Sequence, residues 1–186
     1  MKPLILFVIL FGLGVCKAQD KTEYSDAVIA YMSKHGTTEK VANMIKEAYN
    51  IERVTLINLK THRNPDISKC DLIIIGGSIH AGKIQRKVTR FCRKNEELLL
   101  TKEIGLYLCC MFSGEGGQKE FRKAYSEKLR NHAKAKALMG YELYFEKMDP
   151  VTRVVMKKLS GASQNVYKID IESFNTFMTE LKNKIH

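Results

Sequence analysis

From Ala27 onward, short uninterrupted apolar runs alternate with stretches whose apolar residues recur every three or four positions. Such runs form strands buried on both faces, and such stretches form amphipathic helices, so the pattern predicts a parallel sheet with helices on both sides. Ala27-Val28-Ile29-Ala30-Tyr31-Met32 is the first predicted strand. Val41, Met44, Ile45, Ala48 and Tyr49 mark the helix after it, with Glu39 near its positive dipole end. Val54 to Asn58 predicts a second strand. Leu72-Ile73-Ile74-Ile75 predicts a third, central one that stops at Gly76-Gly77-Ser78. Ile84, Val88, Phe91 and Cys92 mark a helix studded with Lys and Arg, followed by a fourth strand from Ile104 to Phe112. Phe121, Ala124, Tyr125 and Leu129 mark a helix leading to a fifth strand around Ala137 to Tyr144. Asp149-Pro150 is an N-cap followed by proline at the first helical position, and Val151, Val154, Val155 and Leu159 form the apolar stripe of an extra helix that Gly161 ends. Phe174, Phe177, Met178, Leu181 and Ile185 line a closing helix.

The N-terminal 20 residues follow a different pattern. Lys2 precedes an uncharged apolar run from Leu4 to Val15, and a small-residue site at Cys16-Lys17-Ala18 follows, which is the layout of a secretory signal. The run holds 12 residues, against roughly 20 for a bilayer-spanning helix. Residues 1–20 are therefore a leader, with cleavage expected after about Ala18, and residues 21–186 are one domain. The chain of 186 residues, 45% apolar, suffices for one ordinary core. Cleavage would release the domain into an exported compartment, periplasmic or extracellular, whereas an uncleaved leader would tether it to the membrane.

Charge and cysteines narrow the chemistry. The chain carries a formal charge of +11; without residues 1–20 it keeps 29 basic and 19 acidic groups, hence +10. Such a surface favours anionic partners by Coulomb steering, without selecting among them. Cys70, Cys92, Cys109 and Cys110 show no zinc-ligand spacing, so no metal site is legible. Cys109 and Cys110 are strand neighbours that point to opposite sheet faces, which favours buried thiols over a disulfide. No Gly-x-Ser-x-Gly elbow, paired-carboxylate signature or Gly-x-x-x-x-Gly-Lys loop is present, which argues against hydrolase and nucleoside-triphosphatase chemistry. A nucleic-acid module would also interleave exposed aromatics with its cations, and no such pattern is found.

Three predicted strand ends carry loops rich in Gly, Ser and Thr, and in open parallel sheets ligands bind outside those ends. Ser33, Lys34, His35, Gly36, Thr37 and Thr38 offer hydroxyls and backbone N–H groups at a helix N-terminus, an arrangement that holds a phosphate without a metal. An ordinary turn with a helix cap would use the same residues. The other two loops shift the balance. Gly76, Gly77, Ser78, Ile79, His80, Ala81 and Gly82, together with Phe112, Ser113, Gly114, Glu115 and Gly116, can approach a flat ring closely, because glycine removes side-chain bulk and frees backbone donors. A planar phosphorylated cofactor fits this set.

Ser33-x-His35-Gly36-x-Thr38 resembles the flavodoxin phosphate loop, commonly T/S-x-T-G-x-T, with His35 in place of the middle hydroxyl residue. Ile75-Gly76-Gly77-Ser78-Ile79-His80-Ala81-Gly82 and Met156-Lys157-Lys158-Leu159-Ser160-Gly161 resemble the flavodoxin-type, menaquinone-dependent protoporphyrinogen oxidases, over a span from about Ala27 to the C-terminus. The resemblance implies a flavodoxin-like three-layer α/β sandwich, strand order 2-1-3-4-5, an extra helix after strand 5, and FMN held by the residues named. It also implies a porphyrinogen-like donor and a quinone acceptor; the alternative is an electron carrier whose basic surface docks an acidic redox protein. The stripe in Lys147 to Lys158 can rest on a membrane surface, and its ordinary alternative, the commoner one, is a basic helix packed on the sheet edge. A loop histidine such as His80 is more often held by backbone than catalytic, and His62, His132, Tyr31, Tyr107 and Tyr141 are read as structural.

Overall fold

The computed structural model describes residues 27–49 and 54–183. The leader and Ile185 lie outside them. In chain order the elements are β1 (Ala27–Tyr31), α1 (Thr37–Tyr49), β2 (Val54–Asn58), β3 (Leu72–His80), β4 (Lys83–Ile84), α2 (Arg86–Lys94), α3 (Glu96–Leu99), β5 (Glu103–Cys109), α4 (Gly114–Ala124), α5 (Glu127–His132), β6 (Ala135–Leu138), β7 (Gly140–Leu143), α6 (Pro150–Ser160), β8 (Val166–Ile169) and α7 (Ile171–Lys182). Among these, no helix is long and apolar enough to cross a membrane.

Five parallel strands lie in the order β2-β1-β3-β5-β6. Numbered among themselves, they have the expected order 2-1-3-4-5. Alternation along each strand builds the two cores. Val28, Ala30, Ile73, Ile75, Leu106 and Leu108 pack with Val88, Phe91, Phe121 and Leu129 of the helices on one face. Ile29, Leu72, Ile74, Tyr107 and Cys109 pack with Val41, Ile45, Phe177 and Leu181 on the other. Burying each large aliphatic side chain stabilises the fold by roughly 2 kcal/mol. Cys109 and Cys110 enter opposite cores as thiols, and burial pushes both up to about 12, which makes them poor nucleophiles.

Several predicted boundaries move, each for a tertiary reason. β3 continues through Gly76 and Gly77 to His80, because its pairing with β5 runs on to Ser78 opposite Cys109. β5 ends at Cys109 instead of Phe112, and the glycines after it form the first turn of α4. Ile84 belongs to β4, which turns back on the end of β3; the helix starts at Arg86. The helix predicted through Leu129 is two helices, broken where Ser126 caps α5 by accepting from Leu129 N–H at 3.4 Å.

The predicted fifth strand is also two elements. β6 pairs with β5, whereas β7 leaves the sheet and pairs antiparallel with β8, a strand absent from the sequence reading. The break is at Gly140, with φ +71°, where a Cβ would run into the Lys168 carbonyl oxygen. α6 is capped as predicted: Asp149 accepts from Thr152 N–H at 3.0 Å, Pro150 opens the helix and Gly161 ends it at φ +67°. α6 packs through the face opposite its predicted apolar stripe. Met156 joins the small cluster of Leu143, Phe145 and Met148, and the Val151, Val154, Val155 and Leu159 stripe faces solvent.

Candidate functional site

The chain reverses direction across the sheet at β1 and β3, because β2 is added on one side and β3 on the other. A crevice at the carboxyl ends follows from that topology. The Ser33–Thr38 loop leaves β1 there, β3 ends there in Ser78–His80 and the Ala81–Gly82 turn, and Cys110–Ser113 leaves the adjacent β5. Neighbouring strands thus bring the three predicted loops to one edge.

The first loop is built for backbone display. Gly36, at φ +107° with open space beside it, donates its N–H to Ser33 Oγ at 3.1 Å, and its carbonyl accepts from Lys40 N–H at 2.9 Å to start α1. The two threonines are not equivalent. Thr37 Oγ1 donates to the Glu142 carbonyl at 3.3 Å, which ties the helix start to β7. Thr38 Oγ1 is fully buried, has no hydrogen-bond partner of normal geometry, and lies beside the Cys109 thiol. Beneath them, Tyr107 Oη donates to the Thr38 carbonyl at 3.0 Å and props the first turn of α1.

The second loop is held to the first by a residue that the sequence reading missed. Gln85 Oε1 accepts from Ser78 N–H at 2.8 Å, while Gln85 Nε2 donates to the Met32 carbonyl at 3.1 Å and to Ser78 Oγ at 2.6 Å. One amide therefore fixes the start of the first loop relative to the end of β3. Its signal in sequence was one uncharged polar residue ahead of Arg86 and Lys87, which reads as a helix start. Ala81 and Gly82 make the tip, both at positive φ (49° and 71°). Gly76 and Gly77 are also required by packing within the protein. A Cβ on Gly76 would fall inside the Tyr107 ring, and one on Gly77 would come within 2.6 Å of Ile84.

His35 and His80 meet across the two loops, their ring centroids 5.6 Å apart at an interplanar angle of 58°. His80 Nε2 also lies 3.1 Å from Ser78 Oγ. Burial, then the charge of His35 and of Lys34, lowers His80 to about 4. Burial and Lys34 lower His35 as well, with Asp149 opposing them. Burial thus holds His80 neutral at pH 7 and favours the neutral form of His35, so His80 serves as a hydrogen-bonding group rather than as a charge.

In the third loop Phe112 is 63% exposed, and Ser113 stands at the N-cap of α4 without using its side chain as a cap. Gly114 has open space beside it, whereas Gly116 and Gly117 lie in α4 close against Phe112. A cleft of about 570 Å³ borders this loop from the β6 side, between Phe112, Ser113, Gly114, Tyr141 and Lys168; it does not extend to Ser33–Thr38 or Ser78–Gly82. Glu142 is the second missed residue. Buried at the edge of the first loop, its carboxylate accepts from Lys40 Nζ at 2.7 Å and Tyr144 Oη at 2.6 Å. The latter bond pushes the Tyr144 phenol up to about 12.

The family model of the flavodoxin domain matches residues 28–167, most of the chain. This chain belongs to the flavodoxin family. The flavodoxin domain here shares its fold with a short-chain flavodoxin associated with a PDU bacterial microcompartment, at 18% identity and a TM-score of 0.54, covering 84% of this chain and 95% of that one. It is also similar to the rubredoxin oxygen:oxidoreductase of the anaerobe Desulfovibrio gigas, at 20% identity and a TM-score of 0.52. That match covers 85% of this chain but 36% of the other, so the chain spans about a third of that protein's length. At these identities the likeness is one of fold. No curated protein matches the chain.

Proposed function

We propose that this flavodoxin-family chain is an FMN-dependent oxidoreductase of the quinone-linked protoporphyrinogen oxidase type. The observation that carries the flavin reading is the first loop, where open space beside Gly36 stands two residues before a buried Thr38 hydroxyl that lacks a partner of normal geometry. An orphaned hydroxyl at a helix start fits a phosphate group, which would supply the missing acceptor. Ser33, Lys34, His35, Gly36, Thr37 and Thr38 would hold the phosphate, Thr37 through its backbone N–H because its hydroxyl is committed to Glu142. Gly77 to Gly82, Phe112, Ser113 and Gly114 would border the ring, with exposed Phe112 available to stack on it. When bound, FMN supplies the electron-accepting and electron-donating chemistry. The protein's own contribution is to position the loops through Gln85, exclude water with Phe112, and offer the neutral His80 imidazole as a hydrogen-bonding group beside the ring.

The porphyrinogen and quinone assignment is supported by the β3 segment through Gly82 and by the extra helix ending at Gly161. Anaerobic titration of the purified chain with FMN, followed by protoporphyrinogen and a quinone analogue, tests both levels. Flavin uptake with porphyrin fluorescence appearing at the expense of quinone is expected. Failure to take up FMN would overturn the flavin reading, and a reducible flavin without porphyrinogen turnover would overturn the substrate reading alone. A second reading, an electron carrier for an acidic redox protein, is favoured by Arg86, Arg90 and Arg93, which α2 exposes without an ion-pair partner among the described residues. Fast flavin reduction by such a partner, without small-molecule turnover, is its signature.

A further inference from the structure

We infer that the outer face of α6 is a docking surface for an anionic lipid bilayer. At 3.6 residues per turn, Val151, Val154, Val155, Lys158 and Leu159 share about 140° of the helix circumference. The four apolar residues are 74%, 68%, 49% and 69% exposed. Only seven large hydrophobic side chains are exposed among the described residues, and four of them are on this one helix. The opposite face is already occupied: Met156 packs on Leu143, Phe145 and Met148, and Arg153 Nη2 donates to the Met148 carbonyl at 3.1 Å.

The composition of the face selects its partner. It holds aliphatic side chains alone, with Lys158 in their midst, whereas the buried centre of a protein interface favours aromatic residues and excludes lysine. A lysine inside an aliphatic stripe suits a bilayer surface, where the stem lies along the acyl boundary and the ammonium reaches the headgroups. Pro150 to Ser160 contains no acidic residue, and Lys157, next to the stripe, sits over the Phe145 ring at 5.6 Å. Lys147 sits over Tyr144 at 4.4 Å and extends the cationic border. The one acid at the helix start, Asp149, is engaged in capping. Charge complementarity therefore points to anionic headgroups. Eleven residues span about 16 Å and can lie in the interface without crossing it.

The position of the helix gives the docking a purpose. Asp149 is within electrostatic reach of His35, so the start of α6 adjoins the candidate cofactor loops. A chain docked through α6 would hold that site beside the bilayer, where an apolar quinone resides. This consequence rests on the proposed function; the docking itself does not, and it is read without flavin.

The test is co-sedimentation of the full chain with vesicles of phosphatidylcholine mixed with phosphatidylglycerol, and with phosphatidylcholine alone, at low and high salt. Wild-type protein is expected to bind the mixed vesicles at low salt. Val151→Asp, Val154→Asp and Leu159→Asp together should weaken that binding about tenfold or more while leaving thermal unfolding and FMN uptake unchanged. Lys157→Gln with Lys158→Gln should abolish the preference for the anionic vesicles with the stripe intact. No binding by wild type, or equal binding by the triple variant, which would assign binding to another segment such as the leader, would overturn the inference. So would gel filtration showing a wild-type dimer and a monomeric triple variant, because the stripe would then be covered by a second copy.

Discussion

Replacing Gln85 by Ala removes one side chain and three hydrogen bonds, to Ser78 N–H, the Met32 carbonyl and Ser78 Oγ. Each such bond is worth about 0.5–1.5 kcal/mol net, and the site is half-buried, so water re-pairs part of what is freed. A loss of about 2 kcal/mol is expected, which for a chain of this size lowers the midpoint of thermal unfolding by roughly 4–8 °C. The effect should reach the cofactor site, because the Gln85 side chain hydrogen-bonds both the start of the first loop and the end of β3. FMN affinity should fall several-fold more than in a surface variant of equal stability. Gln85→Glu retains the acceptor for Ser78 N–H and loses the donor to Met32, so it should recover part of the lost stability. Scanning calorimetry and fluorescence titration with FMN measure the two effects. A Gln85→Ala protein that melts within about 1 °C of wild type and binds FMN equally well would refute the bridging argument.

Three further expectations follow from particular contacts. Gly76→Ala should destabilise the fold by about 3 kcal/mol or more, because its Cβ would enter the Tyr107 ring; adding Tyr107→Leu should recover part of that loss in a double-mutant cycle, and strictly additive losses would refute the steric cause. His80 is lowered from 6.5 to about 4 by burial and by neighbouring cations. The unfolded chain therefore binds its proton first as pH falls, and stability should be full above about 6.5 and decline towards 4, by about 1–2 kcal/mol after allowance for partial exposure. Denaturant unfolding at stepped pH, compared with His80→Asn, measures this; an unchanged slope in the variant would exclude His80 as the source. The native N-terminus, read by mass spectrometry, is expected to begin after about Ala18; an intact Met1 would instead support tethering by the leader.

Period and composition carried much of this protein. The apolar runs Ala27–Tyr31 and Leu72–Ile75 can be satisfied only in a sheet covered on both faces, and helical spacing in Val41–Tyr49 and Phe174–Leu181 supplies the covers. The α6 boundaries were equally local, because an Asp-Pro cap and a left-handed Gly161 need no tertiary partner. The loop after β1 was legible from residue type alone, since Ser, Gly and Thr at a strand end serve any phosphate. Tertiary structure decided what pairing and packing decide. β3 runs through two glycines because β5 continues beside it, and those glycines are required by Tyr107 and Ile84, which lie far away or across a turn. Gln85 and Glu142 became site residues only when folding brought Met32 to one and Lys40 to the other, contacts separated by 53 and 102 residues. The same holds for the α6 stripe. Its amphipathic period was in the sequence, but which face would be covered, and which would be left to solvent, was fixed by tertiary contacts: Met156 on the small cluster beneath it and Arg153 on the Met148 carbonyl.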